Sequence, residues 1–253
     1  MQKIKDNNLE VYNSKQVVNW YKNLNALVPV EKFIFEKHGE VLKEGTVLDI
    51  GIGGGRTTRF LYPLCKKYTG IDYSANFVKE VNKLFTIESL VMDARDLSTF
   101  KDSTFDFVNF SFNGIDYVDA DGRKKILSEV FRVLKPKGIF FFSTHNKNHP
   151  TFNVKPWLNK SNSIVINIKT FLKLLPFLGR KLKSKEIFEK DFAIINDSAH
   201  DYSLQTFYTS PAYLRTQLDE AGFTEIEFFT KSGEKRENTN LEDWIFATAI
   251  KDY

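Results

Sequence analysis

The chain has 253 residues, 42% of them hydrophobic and 27% charged, which is enough apolar material for one large globular domain with its own core. Thirty-six Lys and Arg against 32 Asp and Glu leave a net charge of +4, too mild to mark a nucleic-acid binder, and no nucleic-acid partner is expected. Cys65 is the only cysteine, which excludes an intrachain disulfide and a cysteine-based metal site, and no apolar run approaches the roughly 18 residues of a membrane span.

Residues 1–44 read as a helical N-terminal cap. Val17, Val18, Tyr21, Leu24 and Leu27 recur at helical spacing, as do Phe33, Ile34, Val41 and Leu42, with Pro29 suited to a first helical turn and Gly39 to a helix end. From residue 45 short apolar runs alternate with helices. Thr46–Ile50 predicts a strand, followed at once by Gly51, Gly53, Gly54 and Gly55. A helix over 56–67 is expected, kinked or ended early by Pro63, then a strand over 68–71 and a helix capped by Ser74 that runs to Leu84. A third strand covers 87–91, and a fourth, 105–112, is apolar enough to be covered on both faces. Asp121–Leu134 predicts a helix stopped by Pro136 and Gly138, and 139–143 a fifth strand.

The alternation then stops. Residues 146–206 form a basic, aromatic insertion with a helical patch around 164–182. Nine basic residues opposed only by Glu186 and Glu189 give 155–190 a charge of +7, which leaves the rest of the chain at −3. The core pattern resumes in 207–253, with a helix from Ser210 to Ala221 and strands over 224–230 and 244–250. Strands and helices alternating at this spacing build right-handed βαβ units on a parallel sheet, so 45–145 and 207–253 make one domain with an insertion.

Asp49-Ile50-Gly51-Ile52-Gly53-Gly54-Gly55-Arg56 carries the chemistry. A strand that ends in glycines and opens a helix lets backbone approach a ligand closely at a helix N-terminus. A dinucleotide loop wants G-x-G-x-x-G/A, and counted from Gly51 its last position is Arg56, which breaks that pattern. The Asp49-x-Gly51-x-Gly53-x-Gly55 spacing instead resembles the first motif of the class I methyltransferases that use S-adenosylmethionine. Three further features are similar to that family in order: Tyr68–Ser74 with Asp72 at the end of the second strand, Met92-Asp93-Ala94 after the third, and Phe105–Val108 with Arg132–Gly138 before the fifth. The family usually has a glycine where Lys137 stands, a departure that touches packing rather than chemistry.

The resemblance implies a Rossmann-like, seven-stranded α/β sheet, mostly parallel with its last strand antiparallel, in a methyltransferase whose cofactor is S-adenosylmethionine and whose product is S-adenosylhomocysteine. It also implies cofactor contacts from Asp49, Gly51, Gly53, Gly55, Arg56, Asp72, Tyr73, Met92, Asp93, Ala94 and Ser111, with Tyr21 closing over the site from the cap. Asp72 would accept the ribose hydroxyls, Asp93 the adenine amino group, and Asp49 would orient the loop amides. A non-catalytic binder of the same cofactor and a nucleotide-dependent oxidoreductase are the competing classes.

Acceptor-side candidates come from the sheet edge. Asn113 or Asp116, in the turn after the fourth strand, can orient a nucleophile; Asn113-Gly114 also reads as a simple turn. His145 after the fifth strand and His200 beside Asp201 are candidate general bases. No His/Asp/Glu spacing suggests a metal, and none is expected. The acceptor is expected to be a small, anionic molecule with an O or N nucleophile. Residues 146–206 are expected to act as a lid that caps the acceptor pocket; for the apolar, basic stretch 168–183 within them the other readings are a face packed on the core and a membrane-surface helix, the last opposed by Pro176. Without an apolar leader at Met1–Asp6, a cytoplasmic location is expected.

Overall fold

The computed structural model describes residues 8–154, 163–172, 174–181, 185–197, 202–237 and 242–253. The cap contributes helices α1 (Lys15–Lys22), α2 (Pro29–Lys37) and α3 (Gly39–Glu44). Gly39 opens α3 rather than ending α2, which stops at Lys37 with His38 as the cap between the two helices. The core follows as β1 (Thr46–Ile50), α4 (Thr58–Leu61), β2 (Lys67–Asp72), α5 (Ala75–Leu84), β3 (Glu88–Val91), β4 (Phe105–Phe110), α6 (Ala120–Val133) and β5 (Leu134–Asn146). The helix expected over 56–67 is a single α-helical turn that tightens into a 3-10 turn at Tyr62–Leu64, because Pro63 supplies no N–H to continue it.

β1, β2, β3, β4 and β5 pair in parallel in the order 3-2-1-4-5. β10 (Trp244–Lys251) runs antiparallel to β5 across Ile139–His145 and antiparallel to β9 (Phe223–Phe229), which completes the seven-stranded sheet with its last strand reversed. The period-2 alternation of β5 decides which layer each aromatic joins. Phe140 and Phe142 pack with Leu48, Ile50 and Phe110 under α6 and α9 (Pro211–Glu220), while Ile139 and Phe141 join Val47, Phe107, Ile34 and Phe35 under the cap helices. β1 therefore sits between β2 and β4 where the strand order reverses, and the crevice beyond the carboxyl ends of these strands is the natural ligand edge.

The insertion holds helices α7 (Ile164–Leu172) and α8 (Leu174–Lys181), and also three strands that the sequence reading missed. β6 (Ile187–Phe188), β7 (Phe192–Asn196) and β8 (Gln205–Thr209) form an antiparallel branch, attached by β8 running parallel to the last residues of β5. His145 stands where the sheet divides, paired with Trp244 on one side and Tyr208 on the other. A packed face for α7 and α8 does not hold among the described side chains. Phe177 is buried against Tyr202 and Leu174 is half-buried, but Ile164, Val165, Ile166, Ile168, Phe171, Leu172, Leu175 and Leu178 are exposed. No helix among the described residues is long and apolar enough to cross a membrane.

Candidate active site

Gly51, Gly53 and Gly55 have φ of +69°, +52° and +84°, a backbone path that residues with a Cβ rarely follow. The Gly51 amide donates to Ile71 O at 2.8 Å and the Gly53 amide to Asp72 Oδ2 at 2.9 Å, which laces the end of β1 to the end of β2. Gly54 is required by packing. A Cβ there would stand 2.5 Å from Tyr21 O and 2.6 Å from Lys22 N, because the end of α1 lies directly on the loop.

Above this edge opens a cleft of about 970 Å³, mouth included. Gly51, Gly53, Arg56, Asp72, Tyr73, Met92, Asp93, Ala94, Ser111 and Tyr21 all line it. Asp49 and Gly55 do not. Alternation along β1 turns Asp49 away from Ile50, which lines the cleft, and into the layer beneath. There its carboxylate accepts from Thr57 Oγ1 (2.8 Å), Tyr68 Oη (2.7 Å) and Asn109 Nδ2 (2.6 Å) rather than from loop amides, and burial pushes its pKa up against the pull of these bonds. Gly55 faces Phe85 of the neighbouring helix end, 2.9 Å from where a Cβ would be.

Asp72 is the best-prepared acceptor in the cleft. Oδ2 takes the Gly53 amide and Oδ1 the Ser74 amide at 2.8 Å, so each oxygen keeps a lone pair for a ligand hydroxyl. Burial raises its pKa to about 6, opposed by those two amides. Asp93 is clasped by Arg95, whose Nε and Nη2 reach its two oxygens at 3.0 and 2.6 Å. Arg56 is paired too: its guanidinium meets the fully buried Glu31 at 2.5 and 2.6 Å, donates to Ser111 Oγ at 3.1 Å and lies 4.6 Å over the Phe112 ring. Glu31 Oε2 also accepts the Val28 amide that begins α2, so one carboxylate caps a helix and neutralises the loop arginine.

The sequence reading missed the aromatic wall. Tyr12, Phe77, Phe112 and Tyr117 line the same cleft, with ring centroids 5.2 Å apart for Tyr12–Tyr117 and 5.8 Å for Tyr12–Tyr73. These rings come from separate segments, so no spacing links them. Burial pushes the Tyr21 hydroxyl up to about 12, which keeps it a neutral hydrogen-bonding group.

Of the base candidates, Asn113 and His145 are brought together, with Asn113 Nδ2 3.1 Å from His145 Nε2. Asp116, fully buried, takes His145 Nδ1 at 2.8 Å and its amide at 2.7 Å, and also receives Arg123 and Thr144. Phe112 and Asn113 both hold positive φ, a tight turn stabilised by the Asn113 amide donating to Ser143 Oγ. Neither Asn113 nor His145 lines the cleft; their neighbours Phe112 and Gly114 do. His200 and Asp201 lie outside the described residues. No described residue of 146–206 lines the cleft either, although Leu204 packs with Tyr12 and Phe77, and Gln205 is tied to Asn8. Among the described residues no group of three His, Cys, Asp or Glu is placed to hold a metal.

Residues 48–142 match the family model described as a methyltransferase domain. An uncharacterized protein of Methanocaldococcus jannaschii is 30% identical over 195 residues, 75% of this chain and 72% of that one. The ubiquinone/menaquinone biosynthesis C-methyltransferase UbiE of Desulfotalea psychrophila is 36% identical over 113 residues, covering 42% of this chain and 44% of its own. The fold is that of the 1,6-didemethyltoxoflavin-N1-methyltransferase of Burkholderia thailandensis, with a TM-score of 0.60 at 12% identity over 98% of this chain and 87% of the other. Glycines that leave the loop backbone open, a buried carboxylate with free lone pairs at the end of β2 and a cleft that joins the two fit the cofactor that these relatives imply. The chain belongs to the class I S-adenosylmethionine-dependent methyltransferases.

Proposed function

We propose that the cleft divides between S-adenosylmethionine and a small acceptor carrying an oxygen or nitrogen nucleophile. The cofactor's amino-acid end would rest on Gly51 and Gly53, its ribose on Asp72, and its adenine between Met92, Asp93 and Ala94. Tyr73, Ser111, Arg56 and Tyr21 close around it. The observation that carries this reading is that one cavity joins the Asp72 carboxylate to the aromatic wall of Tyr12, Phe112 and Tyr117. When bound, the cofactor supplies an electrophilic methyl on a cationic sulfur.

The chain's own residues then align, shield and stabilise. Aromatic faces favour positive charge and exclude water, and alignment alone can be worth about 7–11 kcal/mol. Both arginines in the cleft are already paired with Glu31 and Asp93, so the cavity favours a neutral, planar acceptor. The anionic acceptor suggested by the basic insertion draws its support from outside the cleft. By their names, the Desulfotalea and Burkholderia enzymes also act on small molecules.

His145 stands behind the Phe112–Gly114 wall of the cleft, and it is the proposed base for a hydroxyl acceptor by way of one bridging water. Asp116 holds its Nδ1–H, leaving Nε2 to take a proton, and a turn of the Asn113 amide would present Oδ1 to the resulting Nε2–H. An amine acceptor needs no such base. The test is methyl transfer from labelled cofactor to panels of small phenols and aromatic amines. Label is expected in one of these panels, and label only in protein or RNA would overturn the reading. For a hydroxyl acceptor His145→Gln should lower turnover by about 100-fold or more while leaving S-adenosylhomocysteine affinity unchanged.

A further inference from the structure

We propose that α7 and α8 dock the protein on the surface of a bilayer that carries anionic lipid. Ile164, Val165, Ile166, Phe171, Leu172 and Leu175 stand between 50 and 76% exposed in a stretch of twelve residues, a concentration of exposed apolar side chains of a kind that marks an interaction surface. From Ile164 to Lys185 the sequence has six basic residues and no acid. Apolar side chains among lysines, on helices lying flat, is the composition that settles into the headgroup region of an anionic membrane.

Two features select lipid over a protein groove. Ile164, Val165 and Ile166 are consecutive and all exposed, so at 100° per residue they sweep about 200° of the helix. A partner's groove covers one stripe, whereas the acyl and headgroup boundary can solvate such a spread. The run of basic charge without an opposing acid is the complement of a phosphodiester surface. With nine and eight residues, the helices are each about 13 Å long, far short of a 30 Å span, so the contact is peripheral.

The patch is also joined to the active site. Phe177 of α8 packs 5.2 Å from the Tyr202 ring, Leu204 packs on Tyr12, and Tyr12 lines the cleft. A surface that docks through α7 and α8 therefore rests on one wall of the acceptor cavity. This inference does not depend on which nucleophile is methylated.

Vesicle co-sedimentation of the full chain tests it, using phosphatidylcholine alone and with about 30% phosphatidylglycerol, at low and high salt. The wild type should pellet with the anionic vesicles, weakly or not at all with neutral ones, and less at high salt. The double variant Phe171→Ser/Leu175→Ser should lose at least about fivefold of the bound fraction, and Lys169→Glu/Lys185→Glu should lose the preference for anionic lipid. Both variants should retain S-adenosylhomocysteine affinity within about twofold, which reports that the fold is intact. Absence of wild-type binding to anionic vesicles at low salt would overturn the proposal, as would unchanged binding of Phe171→Ser/Leu175→Ser. A wild-type dimer that this variant converts to monomer, without vesicle binding, would assign the patch to self-association instead.

Discussion

Asp72 sets how the site responds to pH. Its carboxyl is held near 6 by burial, so the proton-bound fraction rises steeply as pH falls from 7 to 5. Ribose hydroxyls donate, and a protonated Asp72 loses acceptor strength, so the proton competes with the cofactor. Calorimetric affinity for S-adenosylhomocysteine should fall roughly tenfold between pH 7 and pH 5. Asp72→Asn should flatten that profile. Asp72→Ala should weaken binding by about 2–4 kcal/mol, or roughly 30- to 1,000-fold, since a charge-assisted pair of bonds is lost. An Asp72→Ala protein that binds as well as wild type would place the ribose elsewhere. At Lys137 the structure gives the family's missing glycine a physical meaning. Its φ is +65°, the left-handed region, at an energetic cost of about 1–2 kcal/mol for a residue with a Cβ. Lys137→Gly should raise stability in denaturant titration by about 1 kcal/mol, even though it gives up an exposed ion pair with Asp252 that contributes little.

At the scale of elements, the core was legible and its partners were not. The glycine loop, the acid ending β2 and the Met92–Ala94 segment are contiguous, so their spacing announces a strand, a turn and a site together. Glu31 could not be found that way, because it meets Arg56 only after α2 folds back over the loop 25 positions along the chain. The strands β7 and β8 did leave a trace, in Phe192–Ile195 and Thr206–Tyr208, but prolines, lysines and a neighbouring helical patch obscured it. Sequence spacing says that Asp49 is near the loop, and only strand alternation says which layer its carboxylate enters, where it meets Thr57, Tyr68 and Asn109. The Glu31–Arg56 pair has a testable consequence. Glu31→Gln leaves a buried guanidinium without its counter-charge and should cost about 3–5 kcal/mol, a fall in Tm of roughly 10 °C for a chain of this size. Glu31→Leu/Arg56→Met, which removes both charges, should recover much of that loss in a thermal melt. A double variant no more stable than Glu31→Gln would show that the pair is not the cause.

Across the whole molecule the cleft is assembled from parts that meet only in the folded state: Tyr12 and Tyr21 from the cap, the loop and strand ends from the core, and Leu204 of the insertion behind them. Asn8 fastens these parts. Its side chain, fully buried, donates to Gln205 O at 3.0 Å and Tyr117 O at 3.3 Å and accepts the Gln205 amide at 3.1 Å, so it extends the pairing of β8 with one residue of the cap. The strands β1 to β5 and β10 make no use of this clasp, and the penalty for losing it should fall on the cap alone. Asn8→Leu strands buried polar groups of Gln205 at about 1–3 kcal/mol each. If the cap answers by opening rather than by unfolding the core, the fraction of closed molecules drops, and the apparent affinity for S-adenosylhomocysteine drops by the same factor. The expected result is roughly 10- to 100-fold weaker binding with a Tm lowered by only a few degrees. Amides of Lys15–Lys22 should exchange faster in the ligand-free variant and regain protection when the ligand is saturating, because ligand binding favours the closed cap. Unchanged affinity together with a large fall in Tm would show instead that cap and core unfold as one unit and that Asn8 serves the fold rather than the closure of the site.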